Sequence, residues 1–329
     1  MLDSKIAKKS NVSKARTAFS RKLRQSMSGV STTQSTFGNP RLKELLVNTA
    51  RDIKMLPEVA AKAIAIADDP ACKIQDLADI ISQDLKLATT VLSLANSPLF
   101  PVFNTGESIA CLKMAITRLG FRQTKQMILV SSYSGLINEL PIKEASARKN
   151  FLTHSFFTGC ICTELNKLFD LGIRGEEFTA GLIHDIGRLL LLAAAPDEFL
   201  AIDKMEFTEE GSLLDQEKEI FGTTHADVGG WFLRRNQLSE ELVSVANHHH
   251  APTDSAKYTR LVALVAVADH MANSCSKGMA VPNEYECSVV DSLQLLEMFG
   301  ATDATQLLAE NWSEVFRQAI ATCEQVLSF

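Results

Sequence analysis

The stretch FTAGLIHDIGRLLLL at residues 178–192 sets a histidine beside an aspartate in an otherwise apolar segment. Its length and its apolar residues predict a helix in the core of the protein. A buried carboxylate without a partner is strongly destabilising, so Asp185 needs a cation. The sequence offers two. Arg188, three residues further on, could form an ordinary ion pair, or a metal ion could bind Asp185 together with His184.

The other histidines lie on both sides of this stretch, and all seven fall between residues 154 and 270. Each is ambiguous alone: His154 could be a core histidine bonded to a backbone carbonyl, and the run at 248–250 could lie on the surface. Asp269, however, follows the apolar run 261–268 and predicts a second buried carboxylate. Imidazoles and carboxylates together suit first-row divalent ions, with Asp185 as a bridge between two of them. The candidate metal ligands are His154, His184, Asp185, His225, His248, His249 and Asp269.

The fold class follows from apolar residues that recur at helical spacing along the body of the chain, which predicts an all-α protein. Gly120 is a natural end for a helix. Pro141 breaks the pattern and predicts a boundary between an N-terminal helical lobe at 41–141 and a second helical lobe at 142–275. Further helices are expected within 276–329.

Six helices are predicted in the second lobe. Their ranges are 148–169, 177–195, 209–221, 224–235, 239–249 and 257–273. Thr224 with Asp227 resembles a capping box at the start of the fourth. Gly229 and Gly230 in that helix would let another helix approach closely.

Charge divides the chain unevenly. The net charge is −6, but residues 1–40 hold eight Lys or Arg against the single acid Asp3, which gives +7 there and −13 for the remainder. The Ser- and Thr-rich composition of residues 1–40 predicts a disordered basic tail. A weak contact with nucleic acid or anionic lipid and an organelle transit peptide are the alternatives.

Composition also indicates the cellular compartment in which the protein is expected. Apolar residues make up 46% of the chain and charged residues 22%, which is typical of a globular protein in water. The apolar stretches are shorter than the roughly 20 residues of a membrane span, so no span is expected. Seven scattered cysteines without a CxxC pair are typical of reduced thiols, and we expect a cytoplasmic protein.

The order of the candidate ligands carries a family resemblance. His154, then His184-Asp185, then Asp269 resembles the H…HD…D signature of the HD superfamily of metal phosphohydrolases. His225, four residues before a glycine, and the histidine pair at 248–249 resemble the additional ligands of the HD-GYP phosphodiesterases.

The N-terminal part resembles a more specific member of this superfamily. The motifs Leu-Pro-Glu at 56–58, Gln-Asp-Leu at 83–85, VLSLANS at 91–97 and AITRLG at 115–120 resemble the N-terminal lobe of the HDOD domain, the HD-related output domain. The resemblance extends from about residue 42 to residue 273. It implies a two-lobed helical fold with an HD-phosphohydrolase-like C-terminal lobe.

The resemblance has functional consequences. HDOD domains are regulatory modules of bacterial signal transduction. HD-GYP enzymes carry an acid and then a Gly-Tyr-Pro loop after the position of His249, whereas this chain continues His-Ala-Pro-Thr-Asp-Ser. Arg188 stands where those enzymes have a lysine, and arginine does not simply replace a lysine at a phosphate. The resemblance therefore favours metal binding but not hydrolysis of a cyclic dinucleotide.

Three functions are open on this basis. The leading hypothesis is a bacterial signalling module that acts on protein partners in trans, with one or two divalent ions (Fe, Mn, Zn, Ni and Mg are not distinguished) and a phosphate-containing ligand as a further candidate for the metal pocket. The second is an active metal-dependent phosphohydrolase, a phosphodiesterase or phosphomonoesterase, to which no catalytic residue is assigned. The third is an adaptor that holds nucleic acid through the basic tail, which no helix-turn-helix or zinc-finger pattern supports.

Overall fold

The computed structural model describes residues 39–51, 53, 57–67, 69, 71–96, 108–207, 213–275 and 280–327. Within these ranges the chain forms helices and no strand, which confirms the all-α prediction. The expectations for residues 1–38, Leu56 and Ser97 lie outside the described residues. No helix among the described residues is long and apolar enough to cross a lipid bilayer.

The α-helices of the described residues are numbered in chain order. They are α1 (Pro40–Thr49), α2 (Glu58–Ala67), α3 (Ile74–Ile81), α4 (Leu85–Ala95), α5 (Leu112–Glu139), α6 (Ala145–Leu168), α7 (Glu176–Ile183), α8 (Ile186–Ala194), α9 (Pro196–Leu200), α10 (Leu213–Phe221), α11 (His225–Arg235), α12 (Glu240–His248), α13 (Thr259–Ser274), α14 (Val290–Met298) and α15 (Ala304–Leu327). A 3₁₀ turn, Pro252–Asp254, lies between α12 and α13.

A smaller core joins α2, α3, α4 and the first part of α5. Leu77 and Ile81 on one face of α3 are fully buried there. Asp84 begins α4, and its side chain accepts hydrogen bonds from two backbone N–H groups of the first turn. Gly120 interrupts α5 with φ +77°, so the predicted helix end at this glycine is confirmed, although helical hydrogen bonding resumes directly after it.

A larger core surrounds α6, which packs against α7, α13 and α15. Helix α1 belongs to it as well, because Leu42 and Leu46 are buried in this core and α1 contacts α8. The second half of α5 also reaches it through Tyr133. The predicted division at Pro141 stays a prediction, because α5 contributes to both cores.

The predicted single helix over 177–195 is wrong. Helix α7 ends at Ile183 and α8 starts at Ile186, so the His-Asp pair forms the turn between two helices. Asp185 stands at the N-cap of α8 with φ −99° and ψ 12°, but its side chain does not cap that helix. Its carboxylate is instead turned towards three imidazoles. Interactions across the fold have outweighed the local helical pattern.

Two predictions about α11 are confirmed. Thr224 and Asp227 form a reciprocal capping box at its start. Its glycines allow close approach, since a Cβ at Gly230 would lie 1.8 Å from Oδ1 of Asn247. Helix α8 approaches α11 equally closely, because a Cβ at Gly187 of α8 would lie 1.8 Å from the carbonyl oxygen of His225. The chain around His225 is therefore pressed against α8, directly beside the His-Asp turn.

Candidate metal centre

Side chains from five separate places in the chain meet in the larger core. His154 comes from α6, His184 and Asp185 from the turn after α7, His225 from the start of α11, His249 from the end of α12 and Asp269 from α13. The Nε2 atoms of His154 and His184 lie 3.2 and 3.4 Å from Oδ1 of Asp269. Six of the seven residues selected from the sequence are thus neighbours.

Asp185 lies at the middle of this cluster, with its two oxygens facing different imidazoles. Its Oδ1 lies 3.3 Å from Nε2 of both His225 and His249. Its Oδ2 lies 3.6 Å from Nε2 of His184 and 4.0 Å from Nε2 of His154. Ligand atoms at about 2.1 Å from one divalent ion are separated by roughly 3.0–3.4 Å along the edges of an octahedron or tetrahedron. The observed spacings are close to these values.

Several atoms of the cluster have no partner for their lone pairs. Nε2 of His184, Oδ1 of Asp185 and Nε2 of His249 are buried without a hydrogen bond. Nδ1 of His184 lies 2.8 Å from the carbonyl oxygen of Gly181, and Nδ1 of His249 lies 3.0 Å from that of Ala246. A carbonyl only accepts, so in the neutral form of each ring Nδ1 carries the proton and Nε2 presents a lone pair. Orphaned acceptors held by such contacts fit a bound cation.

His225 is oriented by a buried carboxylate. Both oxygens of Glu217 lie 2.9 Å from its Nδ1, and Oε2 also accepts its backbone N–H at 2.8 Å. Burial disfavours the imidazolium, but the charges of Glu217 and Asp185 outweigh it and raise the pKa of His225 to about 10. The two carboxylates thus favour a proton on the His225 ring when no metal is bound. A divalent ion would take the place of this proton.

The remaining ionisable groups of the cluster divide into charged acids and mostly neutral imidazoles. Burial opposes ionisation of Asp185, but His184 and Arg188 still hold its pKa well below the usual range. Burial opposes ionisation of Asp269 as well, but the adjacent His154 and His184 hold its pKa well below the usual range. Burial lowers the pKa of His154 and that of His249, so both favour the neutral form that binds metals. For His184 the two nearby aspartates outweigh burial, and its pKa is raised.

The histidine run at 248–250 is arranged differently from the expectation. His249 joins the cluster, and so does His250, whose Nε2 lies 2.8 Å from Nε2 of His225. His248 is half-buried and belongs to neither of the two groups of potential ligands. Because α12 ends at His248, the chain turns there and brings His250 back towards α11. As a ligand, His248 stays an untested prediction, and the geometry favours His250.

Arg188 forms the ion pair with Asp185 that the sequence analysis gave as one of two alternatives. Its Nη1 lies 3.2 Å from Oδ2 of Asp185. Its Nε and Nη2 lie 2.8 and 2.7 Å from Oδ2 of buried Asp203. The guanidinium also stacks 4.1 Å from the ring centre of Phe207, which in turn stacks on His154 at 3.9 Å. Arg188 thus supplies one of the two cations that the sequence allowed at Asp185, and the imidazoles lie on the other side of the carboxylate, where the second could bind.

Four residues of the site were not selected from the sequence: Glu217, His250, Asp203 and Phe207. Glu217 had a signal, since it lies four residues before Phe221 on the apolar face of α10. His250 was one member of the histidine run. Asp203 and Phe207 follow α9 in an irregular segment, where no periodicity places a side chain. Their partnership with Arg188 depends on tertiary contacts alone.

Comparison with known proteins identifies the family of this chain. The model of the HDOD domain family matches residues 53–252, which is more than half of the chain. The chain belongs to the HDOD domain family. This HDOD protein is 26% identical over 235 residues to an uncharacterized protein of Treponema pallidum (strain Nichols), a match that covers 70% of this chain but only 44% of that protein. The chain thus spans less than half the length of that relative.

Solved structures share the fold of the HDOD protein. An HDOD domain protein of unknown function from Geobacter sulfurreducens has a TM-score of 0.66 at 21% identity, with 87% of this chain and 98% of that chain covered. A Shewanella amazonensis SB2B protein named "putative phosphohydrolase" has a TM-score of 0.62 at 22% identity, with 86% and 98% covered. At these identities the likeness extends to the fold alone.

Proposed function

We propose that this HDOD protein is a signal-transduction module that acts through contacts with protein partners. One or two divalent ions in the larger core would stabilise the fold or serve as the sensory element. The deep burial of most of the centre carries this proposal, with exposed His250 at its edge. Asp269 is 8% exposed, and the other five ligands that meet there are more deeply buried. Structural metal sites are closed, whereas catalytic sites keep a coordination position open to substrate.

The surroundings of the centre support the same function. Phe207 covers His154, and Arg188 is bound to Asp185 and Asp203. A phosphate group that approached from this side would have to displace Phe207 and would compete with two carboxylates for the guanidinium. After His249 the chain also lacks the Gly-Tyr-Pro loop of HD-GYP enzymes.

A metal-dependent phosphohydrolase is the second candidate, and the two-sided contacts of Asp185 favour it. Its oxygens face two sets of imidazoles, as a carboxylate between two ions would. His250 at the edge of this cluster is exposed, so one side of the centre reaches the surface. Ions bound there would supply Lewis acidity to a phosphoryl group and to water. The chain itself would hold the ions and keep Asp185 ionised through Arg188.

Metal analysis combined with a substrate panel tests the proposal. The chain is purified anaerobically, its metal content is measured, and phosphomonoesters and phosphodiesters including cyclic di-GMP are assayed beside the Asp185→Ala variant. We expect one or two ions per chain and no turnover above the level of the variant. Steady hydrolysis that disappears in Asp185→Ala would establish the second candidate instead, and absence of bound metal under all conditions would refute both.

A further inference from the structure

Exposed apolar side chains and acids share the outward side of α14. Val290, Met298 and Phe299 are 46%, 38% and 42% exposed. Val290 and Met298 are eight residues apart and therefore lie on one face of the helix. We call this surface, with the bend between α14 and α15 that adjoins it, the acidic corner. It consists of Val290, Asp291, Glu297, Met298, Phe299 and Asp303.

A hydrogen-bonded carboxylate fixes the shape of the acidic corner. Oε1 of Glu297 accepts the backbone N–H of Thr305 at 3.3 Å and its hydroxyl at 3.2 Å. Thr305 lies in the first turn of α15, so these bonds join the end of α14 to the start of the next helix. The exposed side chains of the acidic corner are thus held on two packed helices.

The charge around the acidic corner is strongly negative. Residues 280–327 contain eight Asp or Glu and a single base, Arg317, so they carry −7 of the −13 that belongs to residues 41–329. Arg317 lies 3.2 Å from Glu314. Helix α14 also contacts the 3₁₀ turn before α13, and Asp254, Lys257 and Arg260 near that turn add only one positive charge. An apolar surface rimmed by acids fits an occupant that is both apolar and basic.

The N-terminal part of the same chain has this composition. The stretch KARTAFSRKLR at residues 14–24, the basic segment, holds five Lys or Arg and no acid. Its Phe19 and Leu23 are four residues apart and would share one face of a helix. We propose that the basic segment docks on the acidic corner of the same molecule, with its apolar pair against the exposed apolar side chains and its bases beside the carboxylates. No residue of this contact belongs to the His/Asp cluster, so it is independent of the proposed metal-dependent function.

The basic segment is close enough along the chain to reach the acidic corner. Helix α1 starts at Pro40 and buries Leu42 and Leu46 in the larger core, the same core that holds Leu295 and Leu296 of α14. Residues 25–38, which connect the basic segment to α1, can span up to about 46 Å at roughly 3.3 Å per residue. A globular chain of this length has a radius of gyration of about 20 Å.

Charge and tethering favour the basic segment over a second copy of the acidic corner. Two acidic corners would bring like charges together, which disfavours their association. A segment on a short tether is present at an effective concentration in the millimolar range, so even a weak contact is populated within one molecule. Docking would shield the bases from other polyanions and Phe299 from other proteins. The contact is therefore autoinhibitory for both surfaces.

Carbodiimide coupling of the full chain tests the docking, because it joins a lysine amine to a carboxylate in direct contact. An equal mixture of unlabelled and nitrogen-15-labelled protein is coupled and mapped by mass spectrometry. We expect bonds from Lys14 or Lys22 to Asp291, Glu297 or Asp303 within single molecules. Their yield should fall at least about fivefold at 1 M salt, where the Debye length is about 3 Å. Bonds that join the two isotopes would assign the acidic corner to a second copy. Bonds spread over acids elsewhere, or none, would refute docking altogether.

Paired charge variants locate the contact. Asp291→Asn with Asp303→Asn removes two charges from the acidic corner, and Asp76→Asn with Asp79→Asn removes two exposed charges from α3 as the matched control. Hydrogen exchange of the basic segment should accelerate at least about fivefold in the first pair and stay at the parental rate in the second. Equal acceleration in both pairs would assign the effect to general charge. Exchange at the rate of an unstructured peptide in the parent would show that the segment is undocked. Either result would overturn the proposal.

Phe19→Ser tests the apolar half of the contact. The variant removes the aromatic side chain of the basic segment without changing its charge, so the yield of the coupled product should fall at least about threefold. Ser20→Ala is the control and should leave the yield unchanged. An undiminished yield in Phe19→Ser would contradict the proposed apolar contact.

Discussion

The two cores of the HDOD protein are built on different principles. Among the described residues, the twelve buried hydrophobic residues of the smaller core are all Ala, Val, Leu or Ile. The larger core encloses a set of histidines and carboxylates that are almost as deeply buried as its leucines. Hydrophobic burial and close packing suffice in the first case. In the second, each buried charge must be balanced by a neighbour or by an ion.

This difference shows where a single substitution does most harm. A truncation in the smaller core leaves a void that neighbouring helices can partly fill. Truncation of a buried carboxylate in the larger core also leaves Arg188 or an imidazolium without its counter-charge. We therefore expect the stability of the larger core to depend on its buried charges and on bound metal. The stability of the smaller core should depend only on the volume of its side chains.

The largest expected effect is that of Asp185→Ala. Arg188 and protonated His225 would lose their carboxylate, so we expect the free energy of unfolding to fall by about 3–5 kcal/mol and metal binding to be lost. Urea unfolding and metal analysis measure both. Leu77→Ala in the smaller core is the matched control: it should cost about 2–5 kcal/mol but keep its metal. If the Asp185→Ala protein still bound metal and unfolded like the parent, the proposed difference between the two cores would be wrong.

Gly187→Ala should cost about 3 kcal/mol, because its Cβ would overlap a backbone carbonyl that cannot move independently. The clash falls on the carbonyl of His225, at 1.8 Å, so metal affinity should fall as well. Gly135→Ala in α5 provides the comparison, since its Cβ would meet only the flexible end of Lys86 at 3.3 Å. That variant should stay within about 1 kcal/mol of the parent. Equal unfolding curves for the two variants would contradict the close packing of α8 on α11.

Removal of the metal should destabilise the larger core selectively. An ion present at a hundredfold excess over its Kd stabilises the folded state by about 2.7 kcal/mol. A chelator should therefore lower the melting temperature, and hydrogen exchange should accelerate in α11 and α13 more than in α3. An unchanged melting curve after verified metal removal would show that the His/Asp cluster does not depend on an ion for stability.

Glu217→Gln should have the smallest effect of the four. The variant weakens the orientation of His225 without removing a ligand, so we expect the metal to bind about 10–100-fold more weakly with little change in stability. Glu219→Gln on the same helix is the control, because Glu219 is exposed and away from His225. Metal titration of the two variants checks this. Identical affinities would exclude a positioning role for Glu217.

Local patterns in the sequence were sufficient for much of the fold. The 3.6-residue periodicity predicted most helices, Gly120 marked a real break with φ +77°, and the Thr224–Asp227 capping box formed as expected. The order of the candidate ligands, together with the motifs at 83–85, 91–97 and 115–120, was sufficient for the HDOD family, which the match over residues 53–252 confirms. These features depend on residues a few positions apart or on the order of residue types along the chain, and neither requires knowledge of packing.

Tertiary structure decided the remaining features of the site, because these features depend on contacts between residues that are far apart in the chain. The His-Asp pair lies on a turn rather than in a helix, since contacts with α11, α12 and α13 hold both side chains. His250 lies in the cluster and His248 outside it because the chain turns after α12. The pairing of Arg188 with Asp203 has no counterpart in any sequence pattern. Burial and electrostatics act through space, and a periodic sequence does not specify which distant charge will be the neighbour.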